Sequence, residues 1–579
     1  MLDMTKQSLF ECLKSKYFKQ TFPLRNPPVT RNFRPMVFQL PETLTLFTLL
    51  IPLYTEMHYR FKWFPFNRYF RREPEIIADA PYRIEPGKKL PVLLLIKDAH
   101  QYSIRLHSVK ISGSDSNGNL LEKKLDIEQD ISDHWWYKTV ELSTDNLSGV
   151  LTLNVTFNFT IGGKRYKRVN HNLPTSPEKP LTVILANEQL PGSEHGWNWG
   201  DLHLHTNLTE DQIEFGAPID ATQKAAEACG LSFVCLTDHS YDLDDKPGSW
   251  SETDPELQKW HNSRSELVRL NEEANCILVP GEEVSAGNQR GKNIHTLLLN
   301  WPKFVPGSGD GAERWLRTSP EHQISDILNN TSENALAIAA HTRMHVPLLH
   351  KILLGRGLWE PEDHHLANVA GFQLLNGSFD NDFEEALQLW IKSLLKGQKK
   401  YIYAGNDAHG NFNRFRQVKI PMLSVWDHTN QILGKCRTGI MLNENLTVTG
   451  ILDALRQGRC VISDGPLMEM AIKTEDGRSY TLGDTYKGSN IKVSIGSTST
   501  DEYGYLDSFE LFLGDLNKSE EREIHHHIFK HERFSESEEF ELDISTVSGY
   551  VRGVLISKDR NGNQYHCYTN PIWINHSSN

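Results

Sequence analysis

Two histidines one residue apart, His203-Leu204-His205 in the run GDLHLHT, head a series of residues suited to metal chemistry. On a strand, positions i and i+2 point to the same side, so both imidazoles reach one ion. The pair alone is weak, because 25 histidines in 579 residues give about one such spacing by chance. Other ligand types at comparable places raise its weight. His239 ends LSFVCLTDH, Glu283 lies just beyond CILVPG, His341 ends ALAIAAH, and Asp407 and His409 end YIYAGNDAH. Each sits at the carboxyl end of an expected strand, the face where barrels and open α/β sheets carry their active sites. His295 is the exception, since it opens its run, HTLLLN. Any one of these alone reads as a buried structural histidine; taken in order, they point to a shared metal site. Imidazole and carboxylate without thiolate suit Zn²⁺, Mn²⁺ or Fe²⁺ and argue against a purely structural zinc. Two such divalent ions bridged by a carboxylate would acidify water and aim it at a carbonyl or phosphoryl centre.

Around these stations, short apolar runs alternate with helical stretches at Pro218–Cys229, Pro255–Ala274, Pro320–Asn330 and Asp382–Leu395. That alternation predicts a parallel α/β sheet or barrel. The segment before it reads as β structure. In Leu151–Ile161, LTLNVTFNFTI, apolar residues alternate with Thr and Asn, and Gly162-Gly163 then leads into KRYKRV, which predicts a hairpin within a small sandwich. From about Gly488 the β pattern returns, predicting a second sandwich. The tract HHHIFKH (His525–His531) reads there as part of a charged linker without an acidic or cysteine partner, a solvated and adventitious metal binder. The expected divisions are an N-terminal extension (1–80), a β-sandwich (81–190), the α/β unit (197–470) and a C-terminal β-sandwich (471–579).

The motifs DLHLHT, LTDHS, PGEEVS, the histidine of HTLLLN, AAHTRM and GNDAHG resemble, in order and spacing, those of the PHP (polymerase and histidinol phosphatase) superfamily, over roughly residues 197–465. More narrowly, the preceding sandwich, RQGRCVISDGP (Arg456–Pro466) and TNPIWI resemble the CehA/McbA-type metallohydrolases, a group named for hydrolysis of an aryl carbamate ester. The resemblance implies a distorted (β/α)7 barrel with two or three metals. It implies that His203, His205, Glu283 and Asp407 hold one metal and that Glu283 bridges to a second held by His295 and His341. Glu283 is chosen over Glu282 by the pattern Gly-x-Glu-hydrophobic. His239 and His409 would face a third position, which family members complete with a histidine or aspartate soon after the first pair. Here the stretch is TNLTEDQ, so Glu210 or Asp211 must serve, and without either the site is dinuclear.

Within that set, Asp407 is placed to take a proton from the nucleophile, and His239 or His409 to give one to the leaving group if the third site is empty. Asp238 is expected to hydrogen-bond a ligand histidine. Arg343, two residues after His341, either meets a substrate anion or forms a surface ion pair; Asn376 either donates to substrate or caps a turn. The first reading is a metal-dependent hydrolase acting on an ester, carbamate or amide-like bond of a small molecule. A phosphoesterase is the alternative within enzymes, and a binding protein with an inert barrel scaffold the alternative outside them. Lys+Arg 61 against Asp+Glu 74, a net charge of −13, excludes a non-specific nucleic-acid binder. Seven dispersed cysteines without a CxxC pair, and a start lacking a signal-peptide pattern, suit a reducing, cytoplasmic setting. The apolar run Thr43–Tyr54 is shorter than the ~20 residues of a spanning helix. With the basic, aromatic YRFKWFPFNRYFRR behind it, the run either rests on a membrane surface or packs as an extension on the protein itself.

Overall fold

A computed structural model describes residues 73–575, except for short stretches that include 210–214, 310–317, 347–350, 352–354 and 420–423. The expectations for the N-terminal extension, the Thr43–Tyr54 run, Glu210 and Asp211 lie outside the described residues. The rest is a strand-rich α/β protein of several sheets, the largest a mixed sheet of 16 strands. Among the described residues no helix is long and apolar enough to cross a membrane, and the six described cysteines are free and buried.

The first part contains two sheets, antiparallel except where Arg83–Ile84 pairs in parallel with Leu181–Leu185. One pairs Glu75–Asp79, Leu90–Lys97 and Trp135–Leu142; the other is centred on Ile104–Ser114 and Gly149–Ile161. In Gly149–Ile161 the residues Leu151, Leu153, Val155, Phe157 and Phe159 are buried while their neighbours are wetter, the period-two pattern visible in the sequence. Its hairpin to Lys164–Val169 turns at Gly162 and Gly163, both at positive φ (54° and 81°), as a two-residue turn between twisted strands demands. Leu90–Lys97 is buried on both faces. Leu90, Val92, Leu94 and Ile96 join the core with Val109 and Phe157; Leu93 and Leu95 join another core with Ala221 and Ala225 of the helix Ile219–Cys229. Burial on both faces explains why PVLLLI shows no alternation.

The central run of the large sheet follows chain order. Trp197–His205, Phe233–Leu236 and Ile277–Gly287 pair in parallel; Asn293–Leu299 is antiparallel to both its neighbours; Leu336–Ala339, Val369–Asn376 and Tyr401–Gly405 are again parallel. A two-residue strand, Ala408–His409, then pairs with Leu204 and His205 of the first. The reversal of Asn293–Leu299 accounts for His295 opening its run. In an antiparallel strand the first residues lie at the end where its neighbours finish, here with His295 opposite Ser285. Helices cover the sheet where the sequence predicts them, with changed ends: Ile219–Cys229, Gln258–Asn271, Ile324–Leu328 and Asn381–Leu394. The last is capped by Asp380, whose side chain accepts from the Asp382 and Phe383 amides, and it buries Phe383, Leu387, Trp390 and Leu394 along one stripe.

The large sheet continues from Trp197–His205 through Arg437–Met441 and Cys460–Ser463 into Gln564–Thr569, Gly549–Lys558, Tyr505–Asp515 and Glu520–Ile528. A separate four-stranded sheet carries Leu467–Lys473, Asn490–Thr498 and Ser535–Asp543. The tract beginning at His525 is therefore not a linker: His525, His526 and His527 lie on the edge strand Glu520–Ile528. Its charged residues disguise it because an edge strand exposes most of its side chains.

Gly405 shows how closely the strands approach beneath the cluster. A Cβ there would lie 2.7 Å from both the backbone nitrogen and Cβ of His203. Gly405→Ala is expected to destabilise the protein by about 1–3 kcal/mol through overpacking and to lower its metal content. An unchanged thermal midpoint with wild-type metal content would contradict this packing.

Candidate metal centre

Strand alternation brings His203 and His205 to one side of Trp197–His205, while Leu204 between them packs in the core with Ala221 and Ala225. Glu283 lies on Ile277–Gly287 and faces the same histidines; Glu282 points the other way, onto Trp260 Nε1 (2.7 Å) and Arg264 Nη2 (2.9 Å). Glu283 uses its two oxygens differently. Oε1 lies 2.6 Å from His295 Nδ1 and 2.9 Å from His341 Nε2. Oε2 lies 3.1 Å from His239 Nδ1, 3.3 Å from His205 Nε2 and 3.4 Å from His203 Nε2. Asp407 Oδ1 is 3.3 Å from His203 Nε2 and 3.2 Å from His205 Nε2. Three groups of convergent ligand atoms result: His203, His205, Glu283 and Asp407; Glu283, His295 and His341; and His205, His239 and His409. The rings of His205 and His409 stack at 4.1 Å between centroids.

Outer partners fix which nitrogen each histidine presents. His203 Nδ1 donates to Gln373 Oε1 (2.9 Å), and Gln373 Nε2 donates to Asn376 Oδ1 (2.9 Å), so the amide orientation is set and Nε2 of His203 turns inward. His205 Nδ1 meets Thr209 Oγ1 at 3.3 Å, and that hydroxyl donates to Asp238 Oδ1 at 2.9 Å. Asp238 therefore reaches His205 only through Thr209, where the sequence reading has it hydrogen-bond a ligand histidine directly. It acts through Thr209, and its other contacts are the amide and hydroxyl of Thr206. Asn376 likewise holds Gln373 by accepting its amide hydrogen. Gln373 itself had no signal beyond its strand.

The arrangement fits cations. His203 Nε2 and His205 Nε2 stand 3.2 Å apart with their outer nitrogens committed elsewhere. Two imidazole lone pairs converging at that distance repel unless a proton or a cation lies between them. His239 Nδ1 is buried without a hydrogen-bond partner. Burial alone would raise the Glu283 carboxyl, but His295 and His203 hold it well below the usual carboxylate range. Asp407 behaves alike, with burial opposed by His203 and His205. Burial works against a proton on His203, yet Asp407 and Glu283 push it up to about 9; burial holds His341 below its ordinary value. Ionised carboxylates and a neutral imidazole are the ligand-ready forms. Buried His/Glu/Asp groups here are thus consistent with metal binding.

Backbone strain coincides with two of these residues. His341 has φ 26° and Asp407 φ 52°, left-handed values that non-glycine residues seldom adopt outside constrained sites. Asp407 is held by its amide, which donates to His203 O (2.8 Å), and His341 by its amide, which reaches Gln373 Oε1 at 3.3 Å.

Arg343 makes no ion pair or hydrogen bond among the described residues and does not line the cleft beside His341. Arg356, which carries no motif, places Nη1 2.8 Å from His295 Nε2. With His295, His341, Met344 and Trp359 it lines a cleft of about 200 Å³. Trp359 Nε1 donates to His295 O at 2.9 Å and steadies that wall. Arg290 pairs instead with Glu360 on the surface (3.1 Å).

No protein-family model and no curated protein matches the chain. Similarity to solved structures is faint. It extends to trypsin-activated alpha-2-macroglobulin from Escherichia coli (8% identity, TM-score 0.14, covering 88% of this chain and 24% of that one). It extends also to beta-glucuronidase 2 from Bacteroides uniformis (10%, 0.16, 88% and 62%) and a beta-glucuronidase from Parabacteroides merdae (8%, 0.17, 87% and 64%). The chain spans about a quarter of the macroglobulin and about three fifths of each glucuronidase.

Behind the cluster, Asp201 gathers four donors. His203 N–H (3.2 Å) and Asn406 N–H (3.0 Å) donate to Oδ1; Asn406 Nδ2 (2.7 Å) and Gly434 N–H (3.0 Å) donate to Oδ2. Burial lifts its carboxyl to about 6 despite them. Asp201→Ala leaves buried donors unmatched, each costing about 1–3 kcal/mol. It is therefore expected to lower both the thermal midpoint and the metal content. A variant with the wild-type midpoint and metal content would remove Asp201 from this role.

Proposed function

We propose that the chain is a metal-dependent hydrolase of PHP type, with the run of strands from Trp197 to His409 forming a distorted (β/α)7 barrel around a di- or trinuclear centre. The observation that carries the reading is Glu283, buried and ionised, with one oxygen facing His295 and His341 and the other facing His203, His205 and His239. The pairing of Ala408–His409 with the first strand supports the barrel. Bound Zn²⁺, Mn²⁺ or Fe²⁺ would supply an acidified water and polarise the bond to be cleaved.

The chain's own residues then divide the work. Asp407, close to both His203 and His205, accepts the proton of the attacking water. His409 and His239 face His205 (4.1 and 4.5 Å between ring centroids), His239 backed by the stacked ring of Tyr241 (4.8 Å), and where no third ion occupies their position either returns a proton to the leaving group. The cleft beside His295 and His341 receives the substrate, a small-molecule ester, carbamate or amide. Arg356 in that cleft favours a second reading, a phosphoesterase, because a guanidinium presents paired donors matched to phosphate oxygens.

Elemental analysis paired with assays on p-nitrophenyl acetate and p-nitrophenyl phosphate tests both readings. Wild type is expected to hold two or three ions per chain. Glu283→Ala should lose ions and lose activity by more than the ~10–100-fold that outer partners cost. A metal-free wild type, or full activity without Glu283, would overturn the hydrolase reading. Arg356→Ala separates the substrates. Loss of a charged hydrogen bond worth about 1.5–3 kcal/mol lowers kcat/KM roughly 10–100-fold for the phosphate ester if phosphate is the substrate. Equal effects on both esters would remove Arg356 from anion recognition.

A further inference from the structure

The second histidine tract lies away from the Glu283 centre, between two different sheets. Glu520–Ile528 is the last strand of the large sheet and pairs with Tyr505–Asp515. Ser535–Asp543 is the last strand of the four-stranded sheet and pairs with Asn490–Thr498. His525 and His527 are two residues apart and turn to the same side, whereas His526 between them is 41% exposed. Glu538 and Phe540 have the same spacing on the other strand.

The rings are held rigidly. His527 stacks on Phe509 (5.2 Å, 14°), and His525 stacks on Phe540 (4.5 Å, 15°) while also lying against Phe509 (5.5 Å). His527 Nδ1 is 2.9 Å from Glu538 Oε1. One ligand atom from each of His525, His527 and Glu538 lies within 4.8 Å of the others. His525 Nε2 is buried and has no hydrogen-bond partner. An imidazole clamped between aromatic faces, with a shielded and unsatisfied nitrogen beside a second imidazole and a carboxylate, is a preformed set of donors. The expectation that this tract has no acidic partner fails at Glu538, which is remote in the run of the sequence but adjacent across the sheets.

We propose that His525, His527 and Glu538 form a separate divalent-cation site that ties the edge strands of the two C-terminal sheets together. Two imidazoles and one carboxylate select zinc or a neighbouring transition ion over magnesium or calcium, and the partial exposure of His527 and Glu538 leaves the fourth position to water. The site cross-links two strands that have no ladder partner on their outer sides, at the margin where a β structure opens most readily.

The test uses the full chain carrying Glu283→Ala, so that zinc at the central cluster does not mask the result, with Glu538→Gln or His525→Asn/His527→Gln added. Zinc retained per chain is counted after gel filtration, and the thermal midpoint is recorded with and without added zinc. The expected result is one zinc fewer per chain in each added variant, with loss of the zinc-dependent rise in midpoint seen in the parent. Equal zinc counts and an equal rise in parent and variants would overturn the proposal. Should the double histidine variant fail to fold, Glu538→Gln, at a partly exposed position, gives the reading alone. A zinc-free central cluster leaves this outcome unaffected, so the two proposals fail separately.

Discussion

Glu283 is a fully buried carboxylate, and burial of a charge is tolerated only where opposite charge or donors surround it. Five histidines supply that surrounding, and they come from strands and strand ends spread over more than a hundred residues. The geometry of the central sheet is therefore bound to the electrostatics of one side chain. Each strand must finish at the same level, and the one reversed strand must begin there, or the carboxylate would face apolar walls. The left-handed backbone at His341 and Asp407 belongs to the same constraint. Both residues lie two positions beyond the last residue of a strand and must turn sharply to bring their side chains back over its end.

Behind the inward-facing atoms stands a second layer of polar groups, in which Asp201 and Asp238 lie inside the histidine motifs and Gln373 and Trp359 in none. Gln373 and Asn376 orient His203, Thr209 and Asp238 orient His205, Trp359 fixes the backbone of His295, and Asp201 joins the first strand to Asn406 beside Asp407. These contacts settle tautomers and ring angles. A metal-binding histidine is an effective ligand only when its outer nitrogen is committed, and here that commitment is made by the Gln373 amide at His203, the Thr209 hydroxyl at His205 and the Arg356 guanidinium at His295.

How much of this was legible in the sequence differs from residue to residue for identifiable reasons. His203 and His205 were readable because a strand's period of two puts alternate residues on one side. His239, His341 and Asp407 were readable because apolar runs announce where strands end. The hairpin at Gly162-Gly163 was readable because only that turn chemistry joins two alternating runs. Arg356 was not, since it approaches His295 from a segment with no fixed spacing from any of the motifs. Asp238 was read as touching a histidine when Thr209 intervenes, a distinction that hydrogen-bond distances alone reveal. The His525 tract was misread for a different reason: its partners Glu538 and Phe540 are on another sheet, and a polar edge strand resembles a linker in composition.

The strand Leu90–Lys97 has a consequence for how the chain can be divided. Its even-numbered apolar residues belong to the N-terminal core and Leu93 and Leu95 to the core of the helix Ile219–Cys229, so a single strand serves as a party wall between two interiors. Such a wall has no solvent side. Removing the first sheets would leave Ala221 and Ala225 facing water, and removing the central sheet would uncover Leu93 and Leu95. These two regions are joint tenants: neither can be exchanged for an unrelated module without rebuilding the other's face.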